Sequence, residues 1–255
     1  MLLCHRLDTR DIQCTKLFFA RIDVQHKTIG LIGGIGWAST LEYYRLLNEM
    51  LVARIGPAHS ARIMLVSIDQ ADFVAHAAQA DSHAIEQFLV KEGRRLQGMG
   101  ADFFLLCANG AHRFAPAVVP RIGLPFISIV EETAKRVQQS GVRKVGLLGV
   151  KQTMAGRFYH DALERFGIAT VTPDAADQEV VHDIIYMELV QNIVTDASRN
   201  IFLGIIEKLR LQGAQGVILG CTEIPLLVKP GDVDLPLFNT TAIHCEAAVA
   251  FAIED

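Results

Sequence analysis

A short glycine-punctuated run occurs twice in this chain and constrains its fold more than any other feature. K-T-I-G-L-I-G-G at 27–34 resembles R-K-V-G-L-L-G-V at 143–150. L-Q-G-M-G-A-D-F-F-L-L-C at 96–107 resembles L-Q-G-A-Q-G-V-I-L-G-C at 211–221. The first pair is offset by 116 residues, from Gly30 to Gly146, and the second by 114, from Cys107 to Cys221. Two matches at nearly one offset predict two like units of about 115 residues each. Within the first unit, Lys27–Ile32, Ile63–Ile68 and Phe103–Cys107 read as short buried strands. Ser39–Arg54 and Ser82–Met99 carry apolar residues at helical spacing.

This alternation predicts an α/β fold of two pseudo-symmetric lobes with mainly parallel sheets and an active site in the cleft between them. Lobe 1 is expected over residues 27–124, completed by a C-terminal helix over 240–255, and lobe 2 over 125–239. Residues 1–26 are expected to be a poorly ordered N-terminal extension.

Composition removes several classes of function. There are 24 Lys+Arg against 28 Asp+Glu, a formal net charge of −4, and no block of five like charges. Neither nucleic acid nor an anionic membrane surface is the expected partner. Apolar stretches such as Val145–Val150 run about six residues, whereas a membrane span needs roughly 20. Charges are scattered through the first 27 residues, whose longest apolar run is Leu17–Ala20, so a cytoplasmic location is expected. The five cysteines are odd in number and include no C-x-x-C, which points away from a disulfide framework and from zinc.

Each unit ends a strand with a cysteine: Cys107-Ala108-Asn109 in the first, Cys221-Thr222-Glu223 in the second. Open α/β sheets bind ligands at the carboxyl ends of their strands. A pseudo-twofold axis would turn both cysteines toward one ligand. One thiolate could then remove the α-proton of a carbon acid and the opposite thiol return a proton, giving the mirror image. Asn109 and Thr222, just beyond the cysteines, could donate to the carbanion's carboxylate. Cys4, Cys14 and Cys245 lack such a setting and read as structural.

Other readings compete for these residues. The loop Gly30–Gly36 follows a strand and precedes a helix, as a pyrophosphate cradle does. It does not meet G-x-G-x-x-G, and the first acid after the second strand, Asp69, lies about 35 residues from Gly34 where about 20 is expected. Two lobes around a cleft also suit a non-catalytic small-molecule binder. His112 reads either as tuning a thiol or as capping a turn, His244 as structural, and Trp37 as packing or, alternatively, as a pocket wall.

From Lys27 to Asp255 the chain resembles the PLP-independent aspartate/glutamate/hydantoin racemase superfamily, most closely its broad-specificity amino-acid racemases. The stretches that carry the resemblance are I-G-L-I-G-G-I-G-W-A-S-T-L-E-Y-Y-R-L-L-N-E (29–49), L-C-A-N-G-A-H (106–112), G-V-I-L-G-C-T-E-I (216–224) and T-A-I-H-C-E-A-A-V-A-F (241–251). The resemblance implies racemisation without cofactor or metal by paired cysteines, matched by Cys107 and Cys221. It further implies a substrate carboxylate held by Asn109 and Thr222, a bordering loop of Gly34, Ile35, Gly36 and Trp37, and a homodimer. Two departures stand out. The usual C-T-N-T reads C-A-N-G, with Ala108 and Gly110 replacing threonines. Where aspartate-specific members pair the distal carboxylate with an arginine and a lysine, the chain has Val74 and Glu179. A neutral or basic amino acid is therefore expected over aspartate, although Arg62, His59 and His76 nearby could restore a positive charge. Relatives use a single cysteine for decarboxylation or cis–trans isomerisation; here the second cysteine argues for racemisation.

Overall fold

The computed structural model describes residues 25–79 and 81–254. All but Gln25 and His26 of the expected N-terminal extension therefore lies outside the described residues. Strands β1 (Ile29–Gly33), β2 (Ile63–Ser67) and β3 (Phe103–Leu106) form a sheet in the order β2-β1-β3. Strands β4 (Lys144–Leu148), β5 (Ala169–Val171), β6 (Val217–Leu219) and β7 (Leu237–Asn239) form a second, in the order β5-β4-β6-β7. Every pairing is parallel.

Parallel neighbours need crossovers, and helices supply them. In the first lobe these are α1 (Trp37–Ile55), α2 (Gln70–Ala77) and α3 (His83–Gly98). Beyond β3 come a 3-10 turn at Asn109–Phe114, α4 (Ala115–Val118) and α5 (Ile129–Gln139). The second lobe carries α6 (Lys151–Ala155), α7 (Arg157–Arg165), α8 (Ala175–Met187), α9 (Asp196–Leu211) and α10 (Ile224–Leu227). The chain closes with α11 (Thr240–Ile253), capped where the Asn239 side chain accepts from the Ala242 amide. The first helix starts at Trp37, two residues before the Ser39 expected from its apolar spacing.

The repeated glycines do the same job in each lobe. A Cβ on Gly30 would lie 2.9 Å from the Phe103 carbonyl and 3.1 Å from Leu96, and one on Gly146 would lie 2.9 Å from Leu209. Each lets a helix lie directly on the sheet.

Strand β1 is buried along its length. The two faces of β3 alternate between two cores, as a period of two requires. Phe103, Leu105 and Cys107 join Ile29, Leu31, Tyr43 and Leu47, whereas Phe104 and Leu106 join Ile32, Leu89 and Leu96. The last helix crosses between the lobes. It begins on β7, yet Cys245, Ala248, Val249 and Ala252 are buried in the core of the first sheet.

Candidate active site

A cleft of about 360 Å³ runs between the carboxyl ends of the two sheets. Ile35, Gly36 and Trp37 line it from the loop after β1 and the first turn of α1, and Asn109, Gly110 and Arg113 from the turn after β3. Cys221, Thr222 and Glu223 face them from the turn after β6.

Strand registers relate the two lobes more closely than the cysteines do. Ile32 pairs with Leu106 in the first sheet, and Leu148, its repeat mate, pairs with Leu219 in the second. One step on, the Cys107 amide donates to the Ile32 carbonyl at 2.9 Å, and the Gly220 amide donates to the Leu148 carbonyl at 2.7 Å. Cys107 thus answers to Gly220, and Ala108 answers to Cys221. The lobes are offset here by 113 residues rather than the 114 read from the cysteines.

This overturns the placement of Cys107 as a cleft base. Its side chain lies on the Phe103–Leu105 face of β3, 1% exposed among apolar residues, and is absent from the cleft wall, where Ala108 stands instead. Burial pushes the Cys107 thiol up, away from thiolate formation. The sequence held a signal of this. Asn109 lies two residues past its cysteine and Thr222 only one, so matching them as partners already matches Ala108 to Cys221.

Cys221 remains in the cleft, tied into a polar network. Its thiol donates to Glu223 Oε2 at 2.9 Å, and the Thr222 hydroxyl donates to the same oxygen at 2.7 Å. Ser39, from the first turn of α1, donates to Glu223 Oε1 at 3.2 Å and also bonds the Thr222 hydroxyl, which joins the lobes. Burial, then the negative charge of Glu223 and the hydrogen bond to it, hold the Cys221 thiol well above its ordinary range. At neutral pH it rests protonated. Tyr186 lies near enough that burial and these same groups push its phenol up as well. Ser39, Glu223 and Tyr186 were not singled out from sequence; Glu223 was visible in G-C-T-E but carried no spacing signal of its own.

Asn109 is held from across the cleft, by α7 and by the first residue of the last helix. Tyr159 O–H donates to its Oδ1 at 2.5 Å, and its Nδ2 donates to Thr240 Oγ1 at 3.1 Å. An amide has two N–H groups, so one remains for a ligand carboxylate. Behind it, His112 Nδ1 donates to the Ala108 carbonyl at 2.9 Å and Nε2 accepts from the Ile129 amide at 3.2 Å. Of its two readings, His112 therefore fixes a turn rather than tuning a thiol. His244 donates from Nε2 to the Ile127 carbonyl at 2.8 Å and accepts from Tyr43 at 2.7 Å, a structural role as read from sequence.

Burial lowers His112 to about 4 and, together with the neighbouring His112, lowers His244 to about 3. The fold therefore favours the neutral rings. Their contribution is complete above the unfolded value near 6.5 and is lost as pH falls through the folded values. Stability should drop by about 1.4 kcal/mol per pH unit for each ring as pH falls below about 6. Urea midpoints measured from pH 7.5 to 4.5 should fall steadily, and a flat profile would contradict this.

The remaining expectations divide. Ile35, Gly36, Trp37, Asn109 and Thr222 line the cleft, as does Val74. Trp37 is 70% exposed there, so it forms a wall instead of packing against the first helix. Gly34 does not line the cleft. At φ +84 it gives its amide to Thr40 Oγ1, and a Cβ there would collide with the Ile68 backbone, so it shapes the loop from behind. Glu179 is not part of the lining either; it pairs with Lys151 on the surface of α8, because the loose match there fell about one helical turn or more from the cleft-facing Ile185 and Tyr186. Arg62, His59 and His76 also lie outside the lining, whose cation is Arg113.

The chain resembles proteins of known class along nearly its whole length. A candidate Asp/Glu racemase from Yersinia pestis is 41% identical, with a TM-score of 0.85 over 89% of this chain and 100% of that one. An aspartate racemase homologue from Pyrococcus horikoshii OT3 is 32% identical, with a TM-score of 0.81 over 89% and 100% of the two chains. The broad specificity amino-acid racemase RacX of Bacillus subtilis (strain 168) is 20% identical over 231 residues, covering 87% of this chain and 96% of that protein. Matched to the family model over residues 32–248, the chain belongs to the Asp/Glu/Hydantoin racemase family.

Proposed function

We propose that this protein moves a proton at one face of the carbon next to a carboxylate, with Cys221 as the acid–base thiol. The observation that carries this reading is Ala108 on the cleft wall at the position related to Cys221. Paired-thiol racemisation, expected from sequence, needs a second acid–base group there, and a methyl group can neither give nor take a proton. The argument that two cysteines favour racemisation over the single-cysteine reactions therefore falls away.

The state of the thiol supports donation. Protonated and hydrogen-bonded to Glu223, Cys221 is an acid awaiting a carbanion. When an electron pair develops on the substrate carbon, the C–H bond forms as the S–H bond breaks. The thiolate left beside the Glu223 carboxylate is repelled by it and regains a proton from water. The free N–H of Asn109 can hold the carboxylate that shares the carbanion's charge. Two sources of the carbanion balance. One is the reverse transfer from Cα–H, which exchanges the proton with retention. The other is loss of CO2 from a second carboxylate on the same carbon, whose C–C electron pair stays behind. A thiol at rest in its protonated form favours the second.

The test is isotopic. Wild-type protein in D2O is incubated with L-amino acids and with substituted malonic acids, and products are read by mass and by chiral chromatography. The expected product carries one deuterium next to the carboxylate in a single configuration. Racemic product from wild type would overturn the reading.

A further inference from the structure

The cleft wall divides by chemistry. The turns after β3 and β6 bring polar groups, among them Asn109, Arg113 and the Cys221–Glu223 pair. Helices α2 and α8 bring apolar ones: Phe73 and Val74 from the first, Ile185 and Tyr186 from the second. Helix α2 is unusual in having no fully buried residue. Phe73 and Ala77 pack against the core around Ile32, Leu89 and Phe114 and also line the cleft, whereas Val74 stands open on the cleft wall, 55% exposed. Most helical stability comes from covering an apolar face, and on this helix the part left uncovered is Val74. Large apolar groups left open on one concave surface mark a ligand site.

Arg113 stacks on the Phe114 ring, 4.6 Å from its centre, and makes no ion pair among the described residues. The acid across the cleft, Glu223, has its oxygens taken by Cys221, Thr222 and Ser39.

We propose that the substrate is a carboxylate whose reacting carbon bears an uncharged apolar substituent of aliphatic or aromatic type, its anionic end facing Arg113 and Asn109 and its substituent lying between α2 and α8. This names the substrate of the single-thiol site and rests on that reading for its chemistry, though not for its binding. Of the neutral or basic side chains expected from sequence, it selects the neutral. A cationic substituent between α2 and α8 would be desolvated against Phe73 and Val74 with no free acid beside it, and so would a carboxylate in the substituent's place.

Binding can be read without turnover. Trp37 is the sole tryptophan of the sequence and lines the cleft, so its fluorescence reports occupancy. Cys221→Ser protein is titrated with phenylacetate, succinate and 6-aminohexanoate. Phenylacetate should bind about 10-fold tighter than either of the others, the gain expected from burying one ring edge on apolar wall. Val74→Asp should remove most of that preference, and Val74→Ala only part of it. Succinate or 6-aminohexanoate binding as tightly as phenylacetate, or no response to phenylacetate, would overturn the proposal. Because the variant lacks the thiol, this outcome is independent of the deuterium experiment, which alone decides whether one thiol does the chemistry.

Discussion

Cys221→Ser should abolish proton transfer while Cys107→Ala leaves it within about threefold of wild type. A positioned acid contributes about 10²- to 10⁴-fold, and a serine hydroxyl, far less acidic than a thiol, cannot replace it. Cys221 is the cysteine that lines the cleft, 2.9 Å from Glu223. Cys107 is 1% exposed with Leu31, Tyr43 and Cys245 around it. Its truncation removes packing, so the expected cost is stability of about 1–2 kcal/mol, seen as a lower melting temperature with activity retained. The measurement is initial rate in the deuterium assay beside a thermal melt for each variant. Equal loss of rate in both, with both folded, would restore the two-cysteine reading.

On the single-thiol reading, Ala108→Cys should add racemisation. The Ala108 side chain faces the cleft from the lobe opposite Cys221, so a thiol grown there meets the other face of the same carbon. Two acid–base groups on opposite faces suffice for inversion, and the gain in D/L interconversion should be at least about 100-fold over wild type. Chiral chromatography of an amino acid or 2-substituted acid that wild type exchanges with retention gives the readout. Continued retention in the Ala108→Cys variant, with its deuterium exchange intact, would mean that the two positions do not address one carbon.

Much of this architecture can be read from residue pattern alone, and the reason is periodicity. Parallel strands flanked by helices leave apolar runs such as Ile29–Ile32 and Val145–Leu148, and the glycines that seat helices on them recur in both lobes. The site was less legible because it turns on one residue. Side chains along a strand alternate faces, so a shift from Cys107 to Ala108 exchanges core for cleft. A cysteine at each strand end invites the wrong alignment, which the spacing to Asn109 and Thr222 argues against and the hydrogen-bond register corrects. Glu179 shows the same weakness on a helix, where a slip of a few residues turns a side chain away from the cleft and toward Lys151. Ser39 and Arg113 escaped notice for a different reason: nothing local distinguishes a serine in a helix's first turn or an arginine after a 3-10 turn until the opposite lobe arrives.

The last helix has a consequence for how the chain is made. Cys245, Ala248, Val249 and Ala252 complete the core around β1 and α1, and the Lys27 amide closes onto the Ala252 carbonyl at 2.8 Å. During synthesis the first sheet leaves the ribosome well before these residues exist. At roughly 5–20 residues per second, its open apolar side waits on the order of 7–30 s for its cover. The first lobe therefore exposes apolar surface through much of translation, and its core is complete only once the last helix has docked.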